Sequence, residues 1–486
     1  MNKNDNSYRS ILKGTSIFGG VQVFQIMINL IRGKFVALFL GPEGLGISSM
    51  FTSSINTVQK FASLGLNMAI VKEVAAEKES GESGILPVAS RLISLSALLG
   101  AVLTIIFALP LSRITFGSDN YAWQFVILSM AVFLGVESAG KLSILQGLHK
   151  IKEISRASII GALSGLFFGV PLYYFFGDKG IVPAIVLLSL SLYVAYSIPL
   201  SKYTSGSGKF SLRDHTPLIK RLVLLGIVLM ANDLLFTLST YLINVFIRSH
   251  GSESAVGLYQ AANSITNQYS GMVFAALAMD YFPRLSAAAA DNRMMHTIVN
   301  RQTEMVALLI APAATLLILS APLAIKILLT SEFFPILDLM RWMGLGILIR
   351  ALSFPMAYVS FAKGNKKLFF WMEGIGCNIL TLLLSCIFYY FFGLIGLGYA
   401  MVADNFLCLI IYYCVNRIIY DYHFSASSLR CLLLSLAAGI LSFSASQVSN
   451  PATAYSLMSG IFLLSLAIAY KSLRQRLRQK SQPPNT

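Results

Sequence analysis

A chain of 486 residues that is 56% hydrophobic and only 12% charged, with a mean hydropathy of +0.70, carries more apolar surface than a soluble core could bury. This excludes a soluble enzyme, and it changes the meaning of the formal net charge of +16, which in a soluble chain would point to nucleic acid. Apolar runs of about 20 residues, each long enough to cross roughly 30 Å of hydrocarbon as a helix, alternate with short polar turns, and only helices satisfy their own backbone at that density.

The expected fold class is an all-α integral membrane protein with about fourteen transmembrane helices. After a cytoplasmic N-terminus, 1–13, the spans are 14–40, 45–71, 86–110, 121–146, 155–176 and 181–203. A linker at 206–218 follows, then 219–247, 257–283, 299–322, 336–362, 368–391 and 395–418, then 429–447 and 452–470, and a basic tail, 471–486. The first span is too long and too polar for a cleavable leader and lacks a small-residue cleavage site, so it stays in the mature protein.

Helical phase, at about 100° per residue, gathers the polar side chains into stripes. Span 1 puts Gln22, Gln25, Asn29 and Arg32 on one face, and span 2 does the same with Thr52, Asn56, Gln59, Ser63 and Asn67, with Lys60 beside Gln59. Span 4 carries Glu137. In span 7 the face is Asp233, Thr237, Thr240, Asn244 and Arg248, and in span 8 it is Gln260, Asn263, Asn267 and Ser270. Arg350 lies in the middle of span 10, Glu373 in span 11 and Asp404 in span 12, whereas Lys34 and Arg341 lie nearer the outer surface, where long cationic side chains snorkel.

Lys and Arg fall on alternate loops. With the N-terminus inside, cytoplasmic segments hold about 28 of the 37 and the opposite loops about four, namely Arg113, Lys179, Arg248 and Lys326. Both termini are therefore expected in the cytoplasm, and the tail KSLRQRLRQK is expected to rest on anionic headgroups.

The chain also repeats itself. YYFFGDKGIVPA, from Tyr173, returns 216 residues later as YYFFGLIGLGYA, from Tyr389. GISSMFTSSINTVQKFASLG, from Gly46, lies over GLYQAANSITNQYSGMVFAA, from Gly257, at an offset of 211, with Thr52, Asn56 and Gln59 falling on Asn263, Asn267 and Ser270. Spans 1–6 (N-lobe, 14–205) and 7–12 (C-lobe, 219–420) are read as parallel repeats, the arrangement of transporters whose halves rock about a shared site.

The stripes lie on the first two helices of each repeat and together predict a wet cavity lined by spans 1, 2, 7 and 8. Gln25, Asn29, Asn56, Gln59, Thr240, Asn244, Asn263 and Asn267 can donate to and accept from sugar hydroxyls. Charges at membrane depth cost about 3 kcal/mol each and must face water or a partner. Arg32, Lys60 and Arg350 are the cations expected to hold an anionic diphosphate, and Asp233, Glu137 and Asp404 are the expected ion-coupling carboxylates, Asp233 first because its stripe faces the cavity. The sequence has no GxxxxGK[ST] loop, and His149, His215, His250, His296 and His423 are scattered without ligand spacing, so neither ATP hydrolysis, a metal site nor another cofactor is expected. Cys377, Cys386, Cys408, Cys414 and Cys431 lie in or at the ends of hydrophobic spans and read as packing residues.

At RGKFVALFLGPEGLGISSM, residues 32–50, the chain resembles the Wzx-type oligosaccharide flippases of the multidrug/oligosaccharidyl-lipid/polysaccharide (MOP) exporter superfamily. Their LGPxGxG turn after the first span is met by Leu40, Gly41, Pro42, Gly44 and Gly46. GLYQAANSI at 257 and MDYFPRLS at 279 are similar to the O-antigen and lipid III translocase branch, and the likeness runs over spans 1–12. The resemblance implies two lobes around a cationic cavity that rock to carry an undecaprenyl-diphosphate-linked oligosaccharide from the inner to the outer leaflet of the bacterial inner membrane. It also implies a first-span cavity arginine, matched by Arg32 in type and helix. Spans 13 and 14 are unlike the shorter members and similar to lipid II flippases.

The expected function is therefore a flippase and not an enzyme. Its partners are a polyprenyl-diphosphate-linked oligosaccharide, membrane lipids and polysaccharide polymerase machinery, with no nucleic acid. The alternatives are a MATE-like cation or drug antiporter, which calls for acids and aromatics in its pocket, or a lipid II flippase on the same fold. A membrane-embedded glycan polymerase or ligase would need large outer loops, and all of these are short.

Overall fold

Apart from short turns, every element among the described residues is helical. The computed structural model describes residues 3–80, 85–204 and 216–480. Most of the 206–218 linker, the end of the tail and the side chains of Lys3, Arg9, Lys13, Gln22, Arg478 and Lys480 lie outside the described residues.

The helices in chain order are α1 Lys3–Ser63, α2 Leu66–Ser80, α3 Ile85–Ile106, α4 Ala108–Phe116, α5 Ala122–Gly147, α6 Ile151–Phe176, α7 Ile181–Thr204, α8 Thr216–His250 and α9 Glu253–Ala287. They continue with α10 Asn292–Leu328, α11 Leu337–Ala357, α12 Val359–Ala362, α13 Lys366–Phe369, α14 Asn378–Phe392, α15 Gly396–Tyr420, α16 Ala426–Ser446 and α17 Pro451–Lys480, with a π-helix, Phe370–Cys377, leading into α14. Ten stretches among the described residues are long and apolar enough to cross a membrane. Those of 40, 53 and 55 residues are too long for one crossing at about 1.5 Å per residue. Each is broken by a glycine, at Gly41, at Gly177 and at Gly393.

Local chemistry sets these breaks. Gly41 takes φ 61°, which costs a residue with a side chain, and Pro42 then opens the next helical segment, where its missing N–H is no loss. The YYFFG echo is a conformational repeat as well: Gly177 and Gly393 cap their helices at φ 54° and 61°, each donating its N–H to the tyrosine four residues back. Tyr173 and Tyr389 are buried, while Tyr174, Phe175 and Phe176, like Tyr390, Phe391 and Phe392, stand exposed. A Cβ on Gly180 would sit 2.8 Å from the carbonyl carbon of Leu172, and one on Gly396 would sit 2.6 Å from that of Phe388. The matched glycines of the echo therefore make the same tight turn in both places.

The chain forms two compact units, residues 1–257 with 328–330, and residues 258–327 with 331–486. In the first unit α8 and the start of α9 run against α1 and α2 through a ladder of five contacts. At one end Arg221 pairs with the buried Glu73 at 3.0 Å. Next, Gly226 meets the Leu64–Gly65 backbone so closely that a Cβ on Gly65 would lie 2.6 Å from the Gly226 carbonyl carbon. Lys60 then pairs with Asp233. A hydroxyl chain follows, Ser54 to Thr115 of α4 at 3.0 Å and Thr115 to Tyr241 at 2.8 Å. At the far end the turn 42–46 meets the turn 253–257, glycine to glycine.

The second contact explains a departure from the expected elements. Span 2 was expected to run unbroken to residue 71, but the helix stops at Ser63 and restarts at Leu66, with Leu64 and Gly65 at φ 47° and 65°. The break lets the α8 backbone approach.

The second unit is built around α10, α11 and α15, with a core that includes Val306, Leu317, Leu348, Leu352 and Tyr412. The appended helices α16 and α17 are fastened to it by Ser435, which donates to the Ala307 carbonyl at 2.7 Å, and by Arg476, which pairs with the buried Glu304, itself hydrogen-bonded by Ser428 at 3.2 Å. An apolar cavity of about 150 Å³ lies under this pair, lined by Ala311, Leu434, Ala438, Ile461 and Leu464.

Candidate functional site

In the first unit the α1 stripe places Asn29 in the open, with Gln25 and Arg32 half-buried. Arg32 lies against α6, where a Cβ on Gly165 would be 3.3 Å from its guanidinium, and among the described residues it has no carboxylate partner. An arginine at membrane depth keeps its charge, so it must face water or an anion. Further along α1, Thr52 and Asn56 are exposed.

Gln59 does not share the open face. Its amide donates to the Ala131 carbonyl of α5 at 3.1 Å, over Gly135, where a Cβ would be 2.7 Å from the Gln59 amide carbon. Lys60, one residue on, turns the other way to Asp233, and both side chains are open to solvent, 40% and 53% exposed. On α8, Thr240 is half-buried and donates to the Phe236 carbonyl at 3.0 Å, whereas Asn244 is buried.

Glu137 belongs to a closed cluster. It accepts from Ser94 at 2.5 Å and pairs with Lys141 at 3.0 Å, and the Lys141 ammonium also stands 3.5 Å over the Tyr193 ring. Lys34 does not snorkel but donates to the Leu329 carbonyl, and Arg341 folds back onto Asp338 at 3.1 Å.

In the second unit Asn267 donates to Asn263 at 2.7 Å, so the α9 stripe is internally bonded. Arg350 is exposed, with its guanidinium 5.6 Å from the centre of the Phe274 ring. Asp404 accepts from Thr381 at 2.9 Å and lies 3.9 Å from the Cys408 thiol. Cys408 is 3.3 Å from Cys377, Cys377 is 3.2 Å from the Tyr412 hydroxyl, and that hydroxyl donates to Glu373.

Two carboxylates are thus joined through a tyrosine and two free thiols, beside the π-helix. A π-turn of this kind often marks a functional stretch. In the sequence these cysteines read as packing residues and no polar stripe includes Glu373. The signal was the spacing, since Glu373, Cys377 and Thr381 recur every fourth residue, and so do Asp404, Cys408 and Tyr412.

Paired apolar helices, a repeated turn geometry, and cations and amides at membrane depth define a multi-pass membrane protein with a transporter fold. The fold is similar to those of solved transporters of the MOP superfamily. The lipid II flippase MurJ, in its inward closed conformation, aligns with a TM-score of 0.72 over 95% of this chain and 99% of its own, at 17% identity. An inward-facing multidrug resistance MATE transporter aligns with a TM-score of 0.68 over 83% of this chain and 98% of its own, at 16% identity. Residues 35–338 match the family described as polysaccharide biosynthesis protein, and the chain belongs to that family. A curated relative, the lipid III flippase of Escherichia coli (strain K12), is 22% identical over 375 residues, which are 75% of this chain and 88% of that one. The lipid III flippase of Shigella flexneri aligns with the same figures.

Proposed function

We propose that the protein flips an undecaprenyl-diphosphate-linked oligosaccharide, an O-antigen or related polysaccharide unit, from the inner to the outer leaflet of the bacterial inner membrane by alternating access. It does so without catalysing a reaction. The observation that carries this reading is Arg32, half-exposed at membrane depth, without a carboxylate partner among the described residues, on a face shared with Gln25 and Asn29. A guanidinium can grip phosphate oxygens in a bidentate way, and amides suit sugar hydroxyls.

In this reading Arg32 and Lys60 hold the diphosphate. Asn29, Asn56 and Thr240 meet the sugar and Gln59 and Asn244 brace the helices behind them; Asn263, Asn267 and Arg350 are the candidate substrate groups of the second unit taken by itself. Of the carboxylates proposed for ion coupling, Asp233 and Glu137 are in direct contact with lysines, whereas Asp404 is hydrogen-bonded by neutral groups with the Arg350 charge acting on it from further off, which favours Asp404 as the group that takes up a cation. The cytoplasmic excess of Lys and Arg supports both termini inside.

Family membership and the lipid III flippase relatives support the substrate class. Reconstitution into vesicles with a fluorescent polyprenyl-diphosphate sugar tests it. Protein-dependent exchange between leaflets is expected. Its absence, together with export of a cationic dye, would favour the antiporter instead.

A further inference from the structure

The Lys60–Asp233 pair differs from the two pairs of the first unit whose carboxylate is buried. Glu73 and Glu137, with their cationic partners Arg221 and Lys141, form pairs in which the carboxylate side chain is only 5% and 7% exposed. Such burial makes a pair structural, because removing one partner strands a charge out of water. Lys60 and Asp233 are instead about half open to solvent, and an exposed pair contributes little to stability. The neighbouring rungs need no charge: the Gly65–Gly226 backbone contact lies on one side and the Ser54–Thr115–Tyr241 hydroxyls on the other, so α1 and α8 stay together when the pair opens.

The backbone around both residues is fixed, with the Lys60 carbonyl accepting from Ser63 at 3.0 Å and the Asp233 carbonyl from Thr237 at 2.8 Å. Motion is left to the side chains. An ammonium on a four-carbon stem is a reorientable point charge that can turn from one anion to another.

We infer that Asp233 is a built-in placeholder for the anionic headgroup: its carboxylate occupies the Lys60 ammonium in the empty protein, gives it up to an incoming diphosphate, and recaptures it when the headgroup leaves. The inference rests on the proposed polyprenyl-diphosphate substrate and adds to it a residue that sets affinity and release. Asp233 neutralises Lys60 at membrane depth when no substrate is bound, and by competing for the same ammonium it keeps the diphosphate from binding too tightly to be released.

The test uses the purified full-length protein, with farnesyl diphosphate as probe and farnesol as the uncharged control. Asp233→Asn should bind farnesyl diphosphate up to about fivefold more tightly than wild type, while flipping more slowly in vesicles. Lys60→Gln should bind about tenfold more weakly. In Lys60→Gln/Asp233→Asn the gain from Asp233→Asn should vanish, because there is no ammonium left to compete for.

Should Asp233→Asn lose its native melting temperature, Asp233→Ser removes the same carboxylate and takes its place. Unchanged or weaker binding in the Asp233 variant overturns the placeholder, and so does a gain that persists without Lys60, since that would be simple repulsion. Either result leaves the flippase reading intact if wild type prefers farnesyl diphosphate to farnesol. No such preference in any variant removes the diphosphate reading and the placeholder with it.

Discussion

Replacing Gly46 with Ala tests whether the glycine-rich turn is a packing device. A Cβ on Gly46 would sit 2.7 Å from the carbonyl carbon of Glu253, and closer still to its oxygen. Carbon atoms pack at about 3.5–4.0 Å, so one backbone must retreat by about 1 Å. The obstacle is main chain at the start of α9, which cannot rotate aside as a flexible side chain can. Overpacking of this kind costs about 1–3 kcal/mol, and with a rigid obstacle the upper figure applies. Against it stands a gain of about 0.5–1 kcal/mol from placing Ala rather than Gly in a helix.

Gly33 provides the control, since a Cβ there meets nothing within 4 Å. Gly33→Ala should therefore show only the helix gain, and the two variants should differ by about 3 kcal/mol in denaturant unfolding in detergent micelles. Gly257→Ala should reproduce Gly46→Ala, because its Cβ would lie 2.8 Å from both the Pro42 carbonyl carbon and the Gly46 nitrogen. The double variant should cost less than the sum, since one separation of the turns relieves both clashes. If Gly46→Ala and Gly33→Ala unfold within about 0.5 kcal/mol of each other, the argument from close approach fails.

Arg32→Ala should cripple export at normal membrane abundance and Arg32→Lys should rescue it in part, since a charge-assisted contact is worth about 1.5–3 kcal/mol, or one to two decades in affinity; full activity of Arg32→Ala removes Arg32 from the site. Arg476→Ala leaves Glu304 buried without its cation and should destabilise the protein by up to about 3 kcal/mol in the same unfolding assay, the partial exposure of Arg476 keeping the loss at the lower end for broken buried pairs; adding Glu304→Gln should restore most of it. Cysteines placed at Asn29, Asn56, Thr240 and Asn267, with the native cysteines removed, should react with a charged thiol reagent, and protection at all four positions would contradict a wet polar face.

What could be read in the sequence was whatever depends on neighbours along the chain. Apolar runs gave the helices, and the YYFFG echo gave a turn that the structure repeats at Gly177 and Gly393. Helical phase put Lys60 and Asp233 on polar faces, but phase says which way a side chain points and not what it meets. The two are 173 residues apart, and only the packing of α8 on α1 makes them partners.

Gln59 shows the same limit from the other side. One residue from Lys60, it looked like part of one stripe, and the notch left by Gly135 on α5 draws it inward. The break at Leu64–Gly65 and the π-helix at 370–377 were invisible for a related reason, since neither sequence carries a proline to announce them. Glu373 and the thiols could have been found from their four-residue spacing, had cysteine been weighed as a polar group.

The offset of 211 residues between the repeats acquires a physical meaning at the far end of the α8 ladder. At that offset Gly46 corresponds to Gly257 and Pro42 to Glu253. In the structure a Cβ on Gly46 would strike the Glu253 carbonyl, and one on Gly257 would strike the Pro42 carbonyl. Each turn offers its glycine to the other's carbonyl, so the contact is reciprocal, as in two-fold interfaces where one patch meets its own copy. In each turn the atom that a side chain would add is met by a main-chain carbonyl of the other turn. That is a reason for both turns to carry glycine at this register, and it turns a weak sequence echo into a geometric one. It also explains why the GPEGLG and GLYQAANSI segments, the two most telling stretches for family resemblance, contain the two glycines. They are the halves of one contact, and a side chain on either would push both turns apart.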